Sequence, residues 1–321
     1  VTNFYHDKKV LVTGGTGFVG SHIVEELLRH GARVRTTVHR KEFKPGDERV
    51  ETVAADLTRL EDCRKAARGV QFVFHAAGAV ASAGTGPVDA MNAITLNVVL
   101  TSQMLQAAWQ EGAERFLVFG SSTGYPAADH AVREEEMWSG PPFPGYFGYA
   151  WMRRYIERLA EFVAQKSPMK IALLRPTAVY GPRDNFDPLG GHVIPALIRR
   201  ASEKENPFVV WGTGDEVRDF LHVGDLARAC LLLLEKRAEC DPVNIGYGQP
   251  VTIRQTVQVI LRATNHDGAK LQFDATKPSA IPVRMVDISK ARHLLGFEPQ
   301  MTLEAGIADT VRWYRQGAGQ A

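Results

Sequence analysis

The chain has 321 residues, 45% of them hydrophobic, and 38 Lys and Arg against 36 Asp and Glu give a formal net charge of +2. Such a length buries a large core spread over about two structural units. The near-balance of charge argues against a nucleic-acid partner, and no apolar run reads as a bilayer span or a secretory leader.

The first expected strand, Val10–Thr13, runs into Gly14-Gly15-Thr16-Gly17-Phe18-Val19-Gly20, which opens a helix over Val19–His30. Strand, glycine turn and helix in that order make a seat for a dinucleotide pyrophosphate. Glycines let the backbone turn and approach the phosphates, and the helix start offers unpaired N–H groups and a positive dipole end. The second strand, Arg33–Val38, ends in His39-Arg40-Lys41. A carboxylate there would accept the adenosine ribose 2′-OH, whereas an arginine suits a 2′-phosphate. The sequence therefore favours NADP(H) over NAD(H), with Arg40 at the phosphate; an ordinary solvated loop is the other reading. A third strand, Val50–Ala54, leads to Asp56-Leu57 and a helix over Leu60–Ala67. Asp56 either meets the adenine or caps that helix.

A fourth strand, Phe72–His75, precedes Ala76-Ala77-Gly78, small enough for the backbone to pass close to a cofactor. A helix over Asn92–Gln110 carries Leu96, Val99, Leu100, Met104, Leu105 and Ala108 as an amphipathic core stripe. The strand Phe116–Gly120 delivers Ser121, Ser122 and Thr123. Glu134-Glu135-Glu136 reads as a solvated loop. Tyr149 and Arg153 sit one helical turn apart around the start of a helix over Ala150–Gln165, and the strand Ile171–Arg175 follows. Repeated β-α-β order implies an α/β fold, a doubly wound parallel sheet. Gly and Pro then become frequent, in Tyr180-Gly181-Pro182 and Gly212-Thr213-Gly214. The expected division is a dinucleotide-binding domain of 1–175 plus about 215–246, and a smaller α/β lobe of about 176–214 plus 247–321 that binds substrate over the carboxyl edge of the sheet. Cys63, Cys230 and Cys240 are scattered, with no metal-ligand spacing, which fits a reducing cytoplasm; no metal is expected.

The glycine motif, Asp56-Leu57, His75-Ala76-Ala77-Gly78, Ser121-Ser122-Thr123 and Arg175-Pro176-Thr177 together resemble the extended short-chain dehydrogenase/reductase family. Its members are Rossmann-fold enzymes, mostly nucleotide-sugar epimerases, dehydratases and reductases. Tyr180–Pro188, His192–Arg200, Val210–Gly214, Arg218–Val223 and Lys277–Asp287 are most similar to its GDP-L-fucose synthase group. The resemblance implies Ser121, Tyr149 and the residue four beyond it as the catalytic set. It places Gly14, Thr16, Gly17, Phe18, Val19, Gly20, Asp56, Leu57, Ala76, Ala77, Gly78, Asn97, Pro176 and Thr177 near the cofactor. It places Asn185, His192, Arg200, Trp211, Arg218 and Arg284 near a nucleotide-diphosphate sugar. A homodimer through a four-helix bundle is implied as well.

Two residues depart from the family pattern. Arg153 stands where the family has lysine: it keeps the positive charge but presents a planar fork. Thr123 stands where the fucose synthases use a cysteine with the residue matching His192 to invert C3 and C5. A threonine hydroxyl is far less acidic than a thiol and a poor proton donor to a carbanion. The implied activity is reduction at C4 of a GDP-4-keto-6-deoxy sugar, with Thr123 orienting the sugar. An NAD-dependent 4-epimerase and a non-catalytic nucleotide-sugar binder are the alternatives. A dehydratase would carry an Asp-Glu pair after Thr123, where Gly124-Tyr125 stand.

Overall fold

The computed structural model describes residues 3–39, 49–79, 87–187, 192–277 and 281–318. The first half alternates strands and helices: β1 (Lys9–Thr13), α1 (Phe18–Arg29), β2 (Arg33–Val38), β3 (Val50–Ala54), α2 (Leu60–Ala67), β4 (Phe72–His75), α3 (Pro87–Gln110), β5 (Arg115–Phe119), α4 (Phe147–Lys166) and β6 (Lys170–Pro176). The second half is shorter-ranged: β7 (Ala178–Tyr180), α5 (Val193–Ser202), β8 (Phe208–Trp211), β9 (Val217–Arg218), β10 (Phe220–His222), α6 (Val223–Lys236) and β11 (Val243–Ile245). It ends with β12 (Val251–Thr252), α7 (Ile253–Ala263), β13 (Leu271–Asp274), β14 (Val283–Arg284), α8 (Ser289–Leu295) and α9 (Leu303–Ala318).

Seven strands form one parallel sheet in the order β11-β6-β5-β4-β1-β2-β3, so the doubly wound Rossmann-type expectation holds. Both faces are covered, which is why β1, β4 and β5 read as continuous apolar runs rather than alternating ones. Within β1 the pleat divides the work. Val10 and Val12 join Ile23 and Leu27 of α1 and Leu226 and Leu233 of α6, while Leu11 joins Ala66 of α2, Met104 of α3 and Ile156 of α4. A further core holds Tyr180, Ile198, Phe208, Val257, Ile260 and Ile307 beside three small sheets, β7–β10, β8–β13 and β12-β9-β14. Because β1 lies between β4 and β2, the chain leaves it in opposite directions on its two sides. That switch point opens a crevice at the carboxyl ends of β1 and β4.

Several local expectations shift. Helix α4 begins at Phe147, so Tyr149 lies inside its first turn rather than before it. Helix α3 begins at Pro87, and Leu96 faces outward, 37% exposed, because its turn of the stripe points away from the sheet. The acidic run is no plain solvated loop: Glu134–Trp138 forms a 3-10 turn, and Glu134 Oε1 accepts the Asn244 N–H at 2.8 Å. Under the site, Arg175 and Glu157 make a buried fork-to-carboxylate pair at 2.9 and 2.7 Å. Among the described residues no helix is long and apolar enough to cross a membrane.

Candidate active site

The glycine turn is shaped by close approach. Gly14 has φ +69°, and a Cβ there would sit 2.8 Å from the Ala77 backbone. A Cβ on Gly20 would sit 2.2 Å from the Gly14 carbonyl oxygen. Turn, helix start and the strand exit of β4 therefore touch backbone to backbone. Gly17 begins α1 with no side-chain cap, and no acid occupies the first turn. An uncapped, acid-free helix start beside a bare backbone turn fits a pyrophosphate. Gly20→Ala is expected to weaken dinucleotide binding by on the order of 1–3 kcal/mol, the cost of overpacking a tight contact; calorimetric titration with NADPH and NADH checks it, and unchanged affinity would refute the assignment.

The strand exits are held from below. The Thr13 hydroxyl shares a proton with His75 Nδ1 at 2.9 Å and accepts the Ala77 N–H at 3.2 Å. Burial drives the His75 pKa down to about 3, so the ring is neutral. Asn97, 2% exposed, donates its amide to the Ala79 and Ala93 carbonyls, both at 2.7 Å. It is spent on holding the loop after Gly78. Asp56 Oδ1 accepts the Thr58 N–H and hydroxyl at 3.0 and 2.7 Å, and these bonds lower its pKa. That is a turn around Thr58 and not a helix cap, since Arg59 begins α2 without one. Leu57 is buried, with its carbonyl bonded to the Cys63 thiol. Pro176 pairs with Ile245 in the sheet, and the Thr177 hydroxyl donates to the Asp219 carbonyl at 2.9 Å. Arg40 lies outside the described residues.

Above β5, Ser121 and Thr123 hydroxyl oxygens lie 2.8 Å apart, with the Thr123 N–H on Ser121 Oγ at 3.2 Å. Helix α4 packs on this turn. From its first two turns, Arg153 Nε and Nη2 donate to the Tyr149 phenol oxygen at 3.1 and 2.5 Å, while Nη1 donates to the Phe119 carbonyl at 3.2 Å. The guanidinium carbon stands 4.9 Å from the Tyr149 ring centre. With both phenol lone pairs engaged by Arg153, the phenol's own proton is directed elsewhere.

The second half supplies cations across a cleft lined by Thr123, Tyr146 and Arg284. Arg284 lies over the Tyr146 ring at 5.5 Å and is in register with Arg218 on the neighbouring strand. Among the described residues neither arginine is in an ion pair: Arg218 reaches the Val217 and Pro282 carbonyls, and Arg284 Nε is buried with no partner. Burial, then the charge of Arg284, lowers the Arg218 pKa to about 10. A buried and a part-buried guanidinium on neighbouring strands fit an anion. His192 Nδ1 bonds Asp184 Oδ1 at 2.8 Å. Asn185 donates its N–H to the same oxygen at 2.7 Å. Trp211 is 58% exposed at the end of β8. Arg200 is not brought to this cluster as a free fork: Glu205 takes it at 2.6 and 2.5 Å, and the Val209 carbonyl takes its Nη2.

Residues 10–246 match the NAD dependent epimerase/dehydratase family. The chain belongs to that family. The family match, the parallel sheet and the glycine turn agree on an enzyme of the extended short-chain dehydrogenase/reductase type. The chain is 33% identical to the probable GDP-L-fucose synthase 1 of Oryza sativa, with 97% of this chain and 94% of that protein covered. It is 31% identical to the dTDP-4-dehydro-6-deoxy-D-allose reductase of a Streptomyces species, covering 96% of each. The crystal structure of UDP-glucose 4-epimerase from Thermotoga maritima with UDP-glucose superposes with a TM-score of 0.85 at 25% identity, covering 97% of this chain and 99% of that one.

Sequence reading missed three buried acids around this region. Asp184 emerged only with the turn that brings it to His192. Glu157 reads as one more charge on an amphipathic helix until β6 sets Arg175 beside it. Asp219, 1% exposed, accepts the Tyr247 and Gly248 N–H groups, and burial pushes its pKa up to about 6.

Proposed function

We propose that this chain reduces C4 of a GDP-linked 4-keto-6-deoxy sugar with NADPH, without inverting C3 or C5. The observation that carries it is the Tyr149 phenol, gripped by two Arg153 N–H groups on the helix that packs against the turn holding the Ser121–Thr123 hydroxyl pair. A bound reduced nicotinamide supplies the hydride. Tyr149 gives its proton to the sugar oxygen as negative charge develops there, and the guanidinium stabilises the phenolate left behind. With Thr123 donating to Ser121 Oγ, the Ser121 proton is free to bond the same sugar oxygen. Arg218 and Arg284 hold the diphosphate. Gly14, Gly17 and Gly20 seat the pyrophosphate, and Arg40 takes the 2′-phosphate.

The missing thiol favours reduction alone, and the similarity to a relative named as a reductase supports it. Incubation with NADPH and GDP-4-keto-6-deoxymannose in D2O should consume NADPH stoichiometrically, faster than NADH, and leave no deuterium at C3 or C5. Deuterium at either carbon refutes the no-inversion claim; no consumption refutes the reduction. The likeness to UDP-glucose 4-epimerase supports a second reading, a 4-epimerase that cycles its cofactor internally. In that case sugar interconverts with no net NADPH loss.

A homodimer through α3 and α4 is also proposed. Met91 and Trp109 on α3 and Trp151, Tyr155 and Phe162 on α4 are exposed apolar side chains, with Met91 60% and Phe162 53% exposed. A face of that kind on two adjacent helices suits a four-helix bundle with a second copy. Equilibrium sedimentation returning the mass of one chain would rule this out.

A further inference from the structure

His192 is held by one carboxylate of unusual setting. The segment after β7 turns sharply, with Gly181 at φ +152° and Arg183 at φ +69°, and its backbone is pinned to α1. His22 Nε2 bonds the Pro182 carbonyl at 3.0 Å, and Arg183 pairs with Glu25. This turn sets Asp184 inward, with its side chain 1% exposed. Oδ1 accepts from His192 Nδ1 at 2.8 Å and from the Asn185 N–H at 2.7 Å. Oδ2 is buried with no hydrogen-bond partner among the described residues. A buried carboxylate with an idle oxygen is costly unless a positive charge stands beside it.

A protonated His192 ring, 2.8 Å from Oδ1 through Nδ1, would supply that charge. The His192 side chain is 41% exposed, so with Nδ1 committed to Asp184 the remaining nitrogen, Nε2, is the one left for a ligand. The hydrogen bond that His192 donates to Asp184 raises the His192 pKa, against burial and against the charge of Arg284, the other charged group that acts on the ring. Arg284 belongs to β14 and lines the cleft with Thr123 and Tyr146.

We propose that Asp184 is a positioning residue which fixes the His192 ring and keeps it protonated, so that Nε2–H donates to an oxygen of the sugar. This deepens the reading above and rests on it. It also gives the pair a definite chemistry. A histidine whose two nitrogens both carry protons is a donor and not a base, so it orients the sugar without abstracting a proton from C3.

The experiment is a 15N-detected titration of the histidines, with His192→Asn to assign the signal, in the wild type and in Asp184→Asn. The wild-type His192 midpoint should lie above that of a free histidine, and Asp184→Asn should lower it by at least about one pH unit. In NADPH turnover of GDP-4-keto-6-deoxymannose, Asp184→Asn should raise KM by roughly 10–10²-fold, the worth of a hydrogen bond from a charged donor, with a smaller change in kcat. The basic limb of kcat/KM should move to lower pH. In a His192→Asn background the Asp184→Asn change should have no further effect on KM. A wild-type midpoint at or below that of free histidine overturns the proposal even if the Asp184 variant does not fold. So does a KM and pH limb unmoved by Asp184→Asn. A wild type that shows the high midpoint but turns over no keto sugar sinks the proposed function and not the Asp184–His192 pair, because the titration needs no substrate.

Discussion

Replacing Tyr149 by Phe is expected to cut kcat by roughly 10²–10⁴-fold, the usual worth of a general acid, with the fold intact. The measurement is NADPH consumption with GDP-4-keto-6-deoxymannose at saturating cofactor. The substitution deletes one oxygen whose hydrogen-bond partners among the described residues are two nitrogens of Arg153, at 3.1 and 2.5 Å, so little else is disturbed. Arg153 then decides how the loss is read. Of the five N–H groups on a guanidinium, two point at the phenol and one at the Phe119 carbonyl. Among the described residues the remaining two have no hydrogen-bond acceptor. If the charge beside the phenol is what matters, Arg153→Lys keeps turnover within about tenfold, and Arg153→Met falls as far as Tyr149→Phe. The double variant Tyr149→Phe/Arg153→Met should then be no slower than either single one, because both remove the same unit. Additive losses would show that Arg153 works separately from the phenol. Full turnover in Tyr149→Phe would end the catalytic assignment altogether.

How much of this was legible in the chain depends on how local the signal is. The glycine turn could be read because its cause is local. A strand, a bare backbone and a helix start lie within a dozen residues, and Gly14 and Gly20 are required by contacts inside that stretch and to the next strand exit. Tyr149 and Arg153 were readable for the same reason, since a helix fixes what four residues apart will do. Which polar partner takes up a given side chain was not readable, whether that partner is near in sequence or far. Arg200 looks like a phosphate fork in sequence, but the β8 lead-in brings Glu205 and Val209 to it and uses it up. Asn97 looks like a cofactor contact, yet its neighbours in the fold are the carbonyls of Ala79 and Ala93. Glu134 sits in a run of three acids that composition alone calls solvated. Only the arrival of β11 gives it the Asn244 N–H, and its burial then raises its pKa.

Glu157→Leu is expected to destabilise the chain by roughly 3–5 kcal/mol, because it leaves the Arg175 charge buried without its counter-ion. In the native state the two side chains are 5% and 2% exposed. Burial works against the Arg175 charge, yet the bonds and charge of Glu157 outweigh it and raise its pKa. The remaining partners, the Tyr125 hydroxyl at 2.9 Å and the Glu134 carbonyl at 2.8 Å, are neutral acceptors that cannot replace a carboxylate. Arg175→Met should cost a similar amount by stranding Glu157. The pair Arg175→Met/Glu157→Leu should be more stable than either single variant, since two apolar side chains of similar volume strand no charge. Urea unfolding tests this: the midpoints should fall for the single variants and recover in the double, with the slope unchanged. A double variant that loses the sum of the two single losses would show that the two side chains are not coupled and would refute the ion-pair account. The position of the pair ties the loss to the chemistry. A Cβ on Gly120 would stand 2.5 Å from Glu157 Oε1 and 3.1 Å from Arg175 Cγ, so the ion pair packs directly beneath the residue that precedes Ser121. Even where the double variant regains its midpoint, the turn carrying Ser121 and Thr123 rests on two flexible apolar side chains in place of a rigid fork. kcat should therefore recover less than stability does, by roughly the 10²-fold that a misplacement of about 1 Å costs.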